Sequence, residues 1–534
     1  MKVSGRITPV SDAVSRARGD DLVRWIRDYA ERRIDAPLID ERRQVPPHVV
    51  LDMGRAGVFG VQVEEKYGGL ALRHREIARV LEQLAGIDLS LGTWALVCLF
   101  PGVRPIAAFG SAVLKDEVLP DLATGRQFAG YAQTEEGAGT HFSAMEARAL
   151  DQGDGTWRVS GDKVWIGNSS WAGVLTVMAQ DVAPDGRKRG LGAFAVKLDQ
   201  PGVVVGREIL SLGMRGVVQG EIGFRDVPVD LDHVVGRPRG GLEVGVDSMS
   251  YSRFAIAATC LGCMRRCAQL MARFAGRRQI ATGRLLDHPV TRVRLAEVAA
   301  RIEALDALLY GIADALDAGD AVAAELFAAV KVAGSELCWQ SVDELMQLLG
   351  SRGYDEANGV SQMLRDARVT RIFEGASEPL LAFLGAAAPN PRSDLHEALR
   401  GGFRAGDVAD RLEAAARELR ERGSASGEDT ASTRAWQAAV AGEAALWACL
   451  LAAHRQRAGA AGAGRTAGSD RTAGWLAARF DAACRHAAHG DPREALLVDA
   501  ADLEAELARL AGPIGDVELL APGERRDRDP LLIR

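Results

Sequence analysis

The chain has 534 residues, 47% of them hydrophobic and 26% charged, with a formal net charge of -7. That length exceeds what one hydrophobic core ordinarily serves, so about two to four domains are expected. The acidic balance excludes nucleic acid as the main partner, because phosphate binding needs a basic field. The first twenty residues hold no continuous apolar stretch and no later run reads as long enough to cross a membrane, so cytoplasmic residence is the expectation and membrane attachment is not. Seven cysteines, an odd number set in apolar helical sequence, do not suggest a disulfide framework. Cys260, Cys263 and Cys267 share one helix face with no histidine nearby, which reads as a packed seam, and no metal site is expected.

From about residue 20 to 124, apolar residues recur at helical spacing, broken at Lys66-Tyr67-Gly68-Gly69 and Phe109-Gly110. Residues 1–126 therefore read as an N-terminal helical domain. Near Gln127 the pattern changes to short β-like runs such as Val174-Leu175-Thr176-Val177-Met178 and Ala193-Phe194-Ala195-Val196, punctuated by turns such as Asp151-Gln152-Gly153-Asp154-Gly155. These predict a central antiparallel β domain over 127–238. Long helices are predicted at 244–276, 292–316 and 321–349, the last stopped by Gly350-Ser351-Arg352-Gly353, and they suggest a four-helix bundle over 239–389. Residues 390–534 read as an extra C-terminal helical domain rich in Ala, Arg and Glu, interrupted by low-complexity loops at 423–433 and 458–474. The fold class is thus α+β, mainly α.

One segment near the end of the bundle stands out: Arg365-Asp366-Ala367-Arg368-Val369-Thr370-Arg371-Ile372-Phe373-Glu374-Gly375-Ala376-Ser377-Glu378. It reads as a helix end, a glycine turn and a new helix with Ser377 as candidate N-cap and Pro379 close behind. Glu374 sits at the junction beside apolar Ile372 and Phe373, a setting that raises a carboxyl's pKa towards the range useful for proton abstraction.

Other segments carry chemistry of their own. In Tyr131-Ala132-Gln133-Thr134-Glu135-Glu136-Gly137-Ala138-Gly139-Thr140-His141, Gly137 and Gly139 allow a planar ring or phosphate to approach the backbone, and Thr134 and Thr140 offer hydroxyl donors. In Val164-Trp165-Ile166-Gly167-Asn168, Trp165 offers a stacking face. Arg277, Arg278 and Arg284 form a basic patch at a helix end. Together with Leu212-Gly213-Met214-Arg215-Gly216, Phe224-Arg225-Asp226-Val227-Pro228-Val229 and Gln347-Leu348-Leu349-Gly350-Ser351-Arg352-Gly353-Tyr354, these ordered segments make residues 20–388 resemble the acyl-CoA dehydrogenase and acyl-CoA oxidase superfamily.

The resemblance implies FAD as cofactor, with Tyr131, Gln133, Thr134, Gly139, Trp165, Ile166, Gly167, Ser377 and Glu378 among the residues that bind it. Arg277, Gln279, Gln347, Gly350 and Ser351 fall where the family contacts cofactor; for Arg277 and Gln347 that cofactor is a neighbouring subunit's, which implies a homo-oligomer. Thr140, Arg253 and Gly375 fall at substrate positions, and Glu374 at that of the base that removes the α-proton of an acyl thioester while the flavin takes a hydride from the β-carbon. Some members carry the base immediately before the arginine that corresponds to Arg253; here that residue is Ser252.

Several departures bear on substrate and electron acceptor. Gly167 stands where most dehydrogenases have a hydroxyl residue bonded to flavin N5, and its absence is expected to leave space beside the ring, as in oxidases that use oxygen; the later motifs resemble dehydrogenases that use an electron-transfer flavoprotein. Ser250 and His141 replace acidic residues near the thioester arm, so the carrier is either CoA or an acyl-carrier protein. Ala376 replaces a threonine that helps to hold flavin phosphates, and the stretch 278–283 is one residue longer than usual, so flavin affinity is expected to be lowered there. The tail resembles the extra domain of very-long-chain members, which favours a dimer over a tetramer. An inactive member acting as a scaffold is the reading from a different class.

Overall fold

A computed structural model of the chain describes residues 2–3, 7–139, 142–425, 431–461 and 466–515. The N-terminal part holds strand β1 (Lys2–Val3) and helices α1 (Asp12–Arg33), α2 (Ala36–Arg42), α3 (Pro47–Arg55), α4 (His74–Ile87), α5 (Leu89–Val97), α6 (Arg104–Phe109) and α7 (Ala112–Thr124). A π-helical stretch, Cys98–Val103, carries Pro101 and joins α5 to α6, so the two run on as one bent apolar rod.

The central sheet has seven strands: β2 (Phe128–Ala132), β3 (Arg148–Asp151), β4 (Thr156–Gly167), β5 (Ala172–Val182), β6 (Lys188–Lys197), β7 (Val203–Glu208) and β8 (Gln219–Asp230). It is mixed rather than antiparallel throughout. On one edge β5 pairs antiparallel with β6, and on the other it meets β2 along its first half and β3 along its last, both parallel. Buried along nearly its whole length, β5 reads as a continuous apolar run, which is what a strand covered on both sides looks like in sequence.

The bundle is built on α8 (Gly241–Arg277), followed by the hairpin β9 (Gln279–Ile280) and β10 (Gly283–Arg284), then α9 (Pro289–Ala318), β11 (Val322–Ala323), α10 (Ala324–Leu349), α11 (Ser351–Tyr354), α12 (Val360–Thr370) and α13 (Ser377–Ala387). β1 pairs with β11, a contact between the N-terminal segment and the middle of the bundle that no local pattern announces. The cysteines at 260, 263 and 267 are buried in the seam between α8 and α10, as their spacing predicts. Among the described residues no group of His, Cys, Asp or Glu side chains is placed to hold a metal.

The tail continues with α14 (Asp394–Glu397), α15 (Gly406–Ala425), α16 (Ala431–Ala461), α17 (Ala467–His489) and α18 (Ala500–Ala511). Residues 1–488 form one compact unit and residues 489–534 a second, small one. Within the first, α16 crosses α13 at two glycines: a Cβ on Gly385 would lie 1.8 Å from the Ala438 carbonyl oxygen, and one on Gly442 would lie 2.0 Å from that of Leu381. The tail thus covers the helix that leaves the Glu374 loop.

Two stretches, Leu89–Phe109 and Ala431–Ala460, do prove long and apolar enough to cross a membrane. They are 83% and 61% buried inside the protein, so their apolarity is spent on the core.

Candidate active site

Glu374 stands on the turn between α12 and α13 with φ +56°, and Gly375 follows at +94°. A non-glycine residue in the left-handed region costs about 1–2 kcal/mol, so the turn must be held from outside. Arg253 Nε, from α8, donates to the Glu374 carbonyl at 3.1 Å, and Lys331 Nζ, from α10, donates to the Gly375 carbonyl at 2.6 Å. Ser335 Oγ bonds the Thr370 carbonyl at 2.7 Å, and the Ser377 N–H closes the turn onto the Arg371 carbonyl at 3.1 Å. The helix cap is Ala376, not Ser377, whose hydroxyl instead donates to Glu336 at 2.6 Å beside Arg371 at 2.8 Å.

The Glu374 carboxylate has one oxygen, Oε2, buried without a partner among the described residues. Burial pushes its pKa up to about 7, with Arg253 and Lys331 pulling the other way. A carboxyl near neutrality with a free buried oxygen can accept a proton from an apolar neighbour. The rival position, Ser252, is buried with its hydroxyl unpaired and offers no acid.

On the other wall, Tyr131 closes β2, and its hydroxyl is buried and unpaired. Burial first, then the nearby charges of Glu374 and Asp247, push the phenol up out of its usual range. The loop that follows is stapled by Glu135, whose carboxylate accepts from Lys163 Nζ at 2.7 Å and from the N–H groups of Glu146 and Ala147 at 2.6 and 3.0 Å. The buried Lys163 also bonds the Gln133 carbonyl at 3.0 Å. Gln133 Oε1 is left buried and unpaired, and nothing lies within 4 Å of a Cβ built on Gly137 or Gly139. Thr134 is half-buried, and its carbonyl accepts from the Val164 N–H at 2.9 Å, joining this loop to β4. Thr140 and His141 lie outside the described residues.

At the end of β4, Trp165 has φ +59° and is 55% exposed, while Ile166 is buried. Asn168 (φ +60°) ties the end of β4 to β2 through its amide, which donates to the Ala129 carbonyl at 3.1 Å. A Cβ on Gly167 would lie 2.7 Å from Cγ1 of Val97 on α5. The space expected beside Gly167 is therefore taken by Val97.

Tyr131 lies within electrostatic reach of Glu374, so the structure brings β2 near the Glu374 turn, which contains Gly375 and to which Arg253 is bonded from α8. Arg277, Gln279, Gln347, Gly350, Ser351 and Glu378 are exposed instead, and none bonds to the Glu374 turn. Arg277 ends α8 and Gln279 opens the hairpin after it, while Gln347, Gly350 and Ser351 straddle the end of α10. An open cleft of about 260 Å³ lies elsewhere, between α9 and the tail helices, lined by Arg265, Glu303, Asp306 and Arg457. Lys331, Val97, Glu135 and Lys163 carry the site's architecture and were not singled out by sequence. Glu135 alone had a signal, since it lies inside a motif.

The three parts of the chain match, in order, the N-terminal domain (residues 19–126), the middle domain (130–227) and the C-terminal domain (239–388) of acyl-CoA dehydrogenases. The chain belongs to the acyl-CoA dehydrogenase family. A probable acyl-CoA dehydrogenase of Mycobacterium tuberculosis, FadE10, is 28% identical over 410 residues, covering 72% of this chain and 63% of the relative, so just under two thirds of that protein is spanned. The butyryl-CoA dehydrogenase of Megasphaera elsdenii superposes with a TM-score of 0.66 at 25% identity, over 71% of this chain and 98% of its own. An acyl-CoA dehydrogenase of Bacillus anthracis complexed with FAD superposes with a TM-score of 0.73 at 20% identity, over 95% of this chain and 92% of its own, so its fold includes a counterpart of the tail.

Proposed function

We propose that the chain is an FAD-dependent dehydrogenase that introduces an α,β double bond into an acyl thioester, with Glu374 as the base. The observation that carries this is the Glu374 carboxylate: one oxygen buried and unpaired, a pKa near 7, and a mount on a left-handed turn held by two cations. Strain held in place by surrounding structure is the pattern of a functional site. The residues fit a flavin: Gln133 has an unpaired buried oxygen, Gly137 and Gly139 face open space, and Trp165 presents an exposed ring.

FAD, when bound by the 131–139 and 165–167 segments, supplies the acceptor for the β-hydride and its electron pair. Glu374 takes the α-proton, and its ionised form must be present for that step. The N–H groups of Glu374 and Gly375 donate to no atom among the described residues, so the Glu374 N–H can bond the thioester oxygen as negative charge develops there.

Val97 bears on the acceptor. Its side chain stands in the space that glycine would leave at Gly167, which favours an electron-transfer flavoprotein over oxygen. The exposed Arg277 and Gln347 support a homodimer in which they face a partner's cofactor, and the tail covering α13 supports a dimer over a tetramer. CoA and acyl-carrier thioesters are both candidate substrates, and the cytoplasm is the proposed location. Anaerobic titration of the flavoprotein with a panel of acyl-CoA and acyl-carrier thioesters tests the reading. Bleaching of the flavin by at least one member is expected; a protein that binds no flavin, or whose flavin no thioester bleaches, would be a scaffold instead.

A further inference from the structure

Two consecutive carbonyls carry the Glu374 turn, and each is held by a cation from a different helix. Arg253 reaches the Glu374 carbonyl from α8 and Lys331 reaches the Gly375 carbonyl from α10. We propose that Lys331 is a positioning residue for Glu374: its ammonium, paired with the Arg253 guanidinium, clamps the left-handed turn and sets a fixed positive charge beside the carboxylate. This rests on Glu374 being the base.

Lys331 is fully buried, and the Gly375 carbonyl is the only acceptor its ammonium bonds among the described residues. No carboxylate there forms an ion pair with it. A buried ammonium bonded to one neutral carbonyl is a costly arrangement unless an opposite charge lies within its field. The groups around Lys331 are Cys260 and Arg253 from α8, Glu336 on its own helix, and Glu374. Glu336 is already engaged by Arg371 and Ser377, which leaves the Glu374 carboxylate as the anion with charge to spare. Around Glu374 the charged and titratable groups are Arg253, Lys331 and, from β2, Tyr131. Burial lowers Lys331 to about 8, so it remains mostly a cation at the pH where Glu374 ionises.

Removing the charge should therefore move the ionisation of Glu374, which a merely structural role would not do. The test is a double-mutant cycle read by thermal unfolding of the flavoprotein from pH 5 to 8.5, with E374Q, K331M and the pair. In the parent, the stability gained by E374Q grows with pH and levels off near 7. In the K331M background it should level off at least about half a pH unit higher. Superimposable curves in the two backgrounds would overturn the role of Lys331. If K331M does not fold, K331R, which keeps charge and donor, is compared with K331Q, which is neutral: a shift in K331Q alone is expected, and equal curves overturn the proposal. The cycle reads the coupling whether or not Glu374 is the base, while retention of thioester bleaching by E374Q would overturn the base itself. The two failures are thus told apart.

Discussion

Glu374 has opposite effects on folding and on the proposed chemistry as pH rises. Its carboxyl titrates near 7 in the folded protein, above an ordinary glutamate. A raised carboxyl pKa means that the folded state binds the proton more tightly, so its contribution is fully present below about pH 4.3 and is lost as pH rises towards 7. E374Q should therefore stabilise the protein by about 3–4 kcal/mol at pH 8 and have little effect at pH 4, which chemical denaturation at the two pH values checks. The rate of flavin bleaching should rise with pH through the same inflection near 7, because the ionised form is the proposed base. Gly167 makes a second prediction at this scale. Threonine there would meet Val97, so G167T should cost about 1–3 kcal/mol of stability, and G167T/V97A should recover most of it. In V97A alone, flavin reduced by light should be reoxidised by air faster than in the parent, as stopped-flow absorbance would show. The carboxylate itself was legible in sequence, because a motif and a glycine marked it. Arg253's bond to the carbonyl, Lys331 and Val97 were not, because each reaches the site from a helix distant in the chain.

Among the elements, the helices were legible and the sheet only in part. The predicted spans 244–276, 292–316 and 321–349 correspond to α8, α9 and α10, which begin and end within a few residues of those limits. Helical periodicity is a local property, whereas strand pairing is not. Nothing within Phe128–Ala132 or Arg148–Asp151 says that both run parallel to β5, because that follows from the path of the loops between them. The crossing of α13 and α16 was likewise hidden, since a glycine in an alanine-rich helix reads as a weak breaker. It yields a clear prediction: G442V places a side chain against the Leu381 carbonyl and should lower stability by about 3 kcal/mol or more, measured as a fall in melting temperature. Gly459, with nothing within 4 Å of its Cβ position, is the control that should tolerate the same change.

At the scale of the whole molecule, two matters join: assembly and chemistry. The residues that the family likeness assigns to a partner's cofactor lie on the surface of one chain, so the site is proposed to be completed by a second copy. Sedimentation should give a species of about 114 kDa, twice the 56.9 kDa chain. A monomer that still binds flavin fully would contradict that assembly. The chemistry is tested most directly by anaerobic bleaching of the flavin in the parent and in E374Q at equal flavin content, with a thioester that reduces the parent. Bleaching in the parent and its loss in E374Q is the expected result; bleaching of E374Q at the parent's rate would contradict Glu374 as the base.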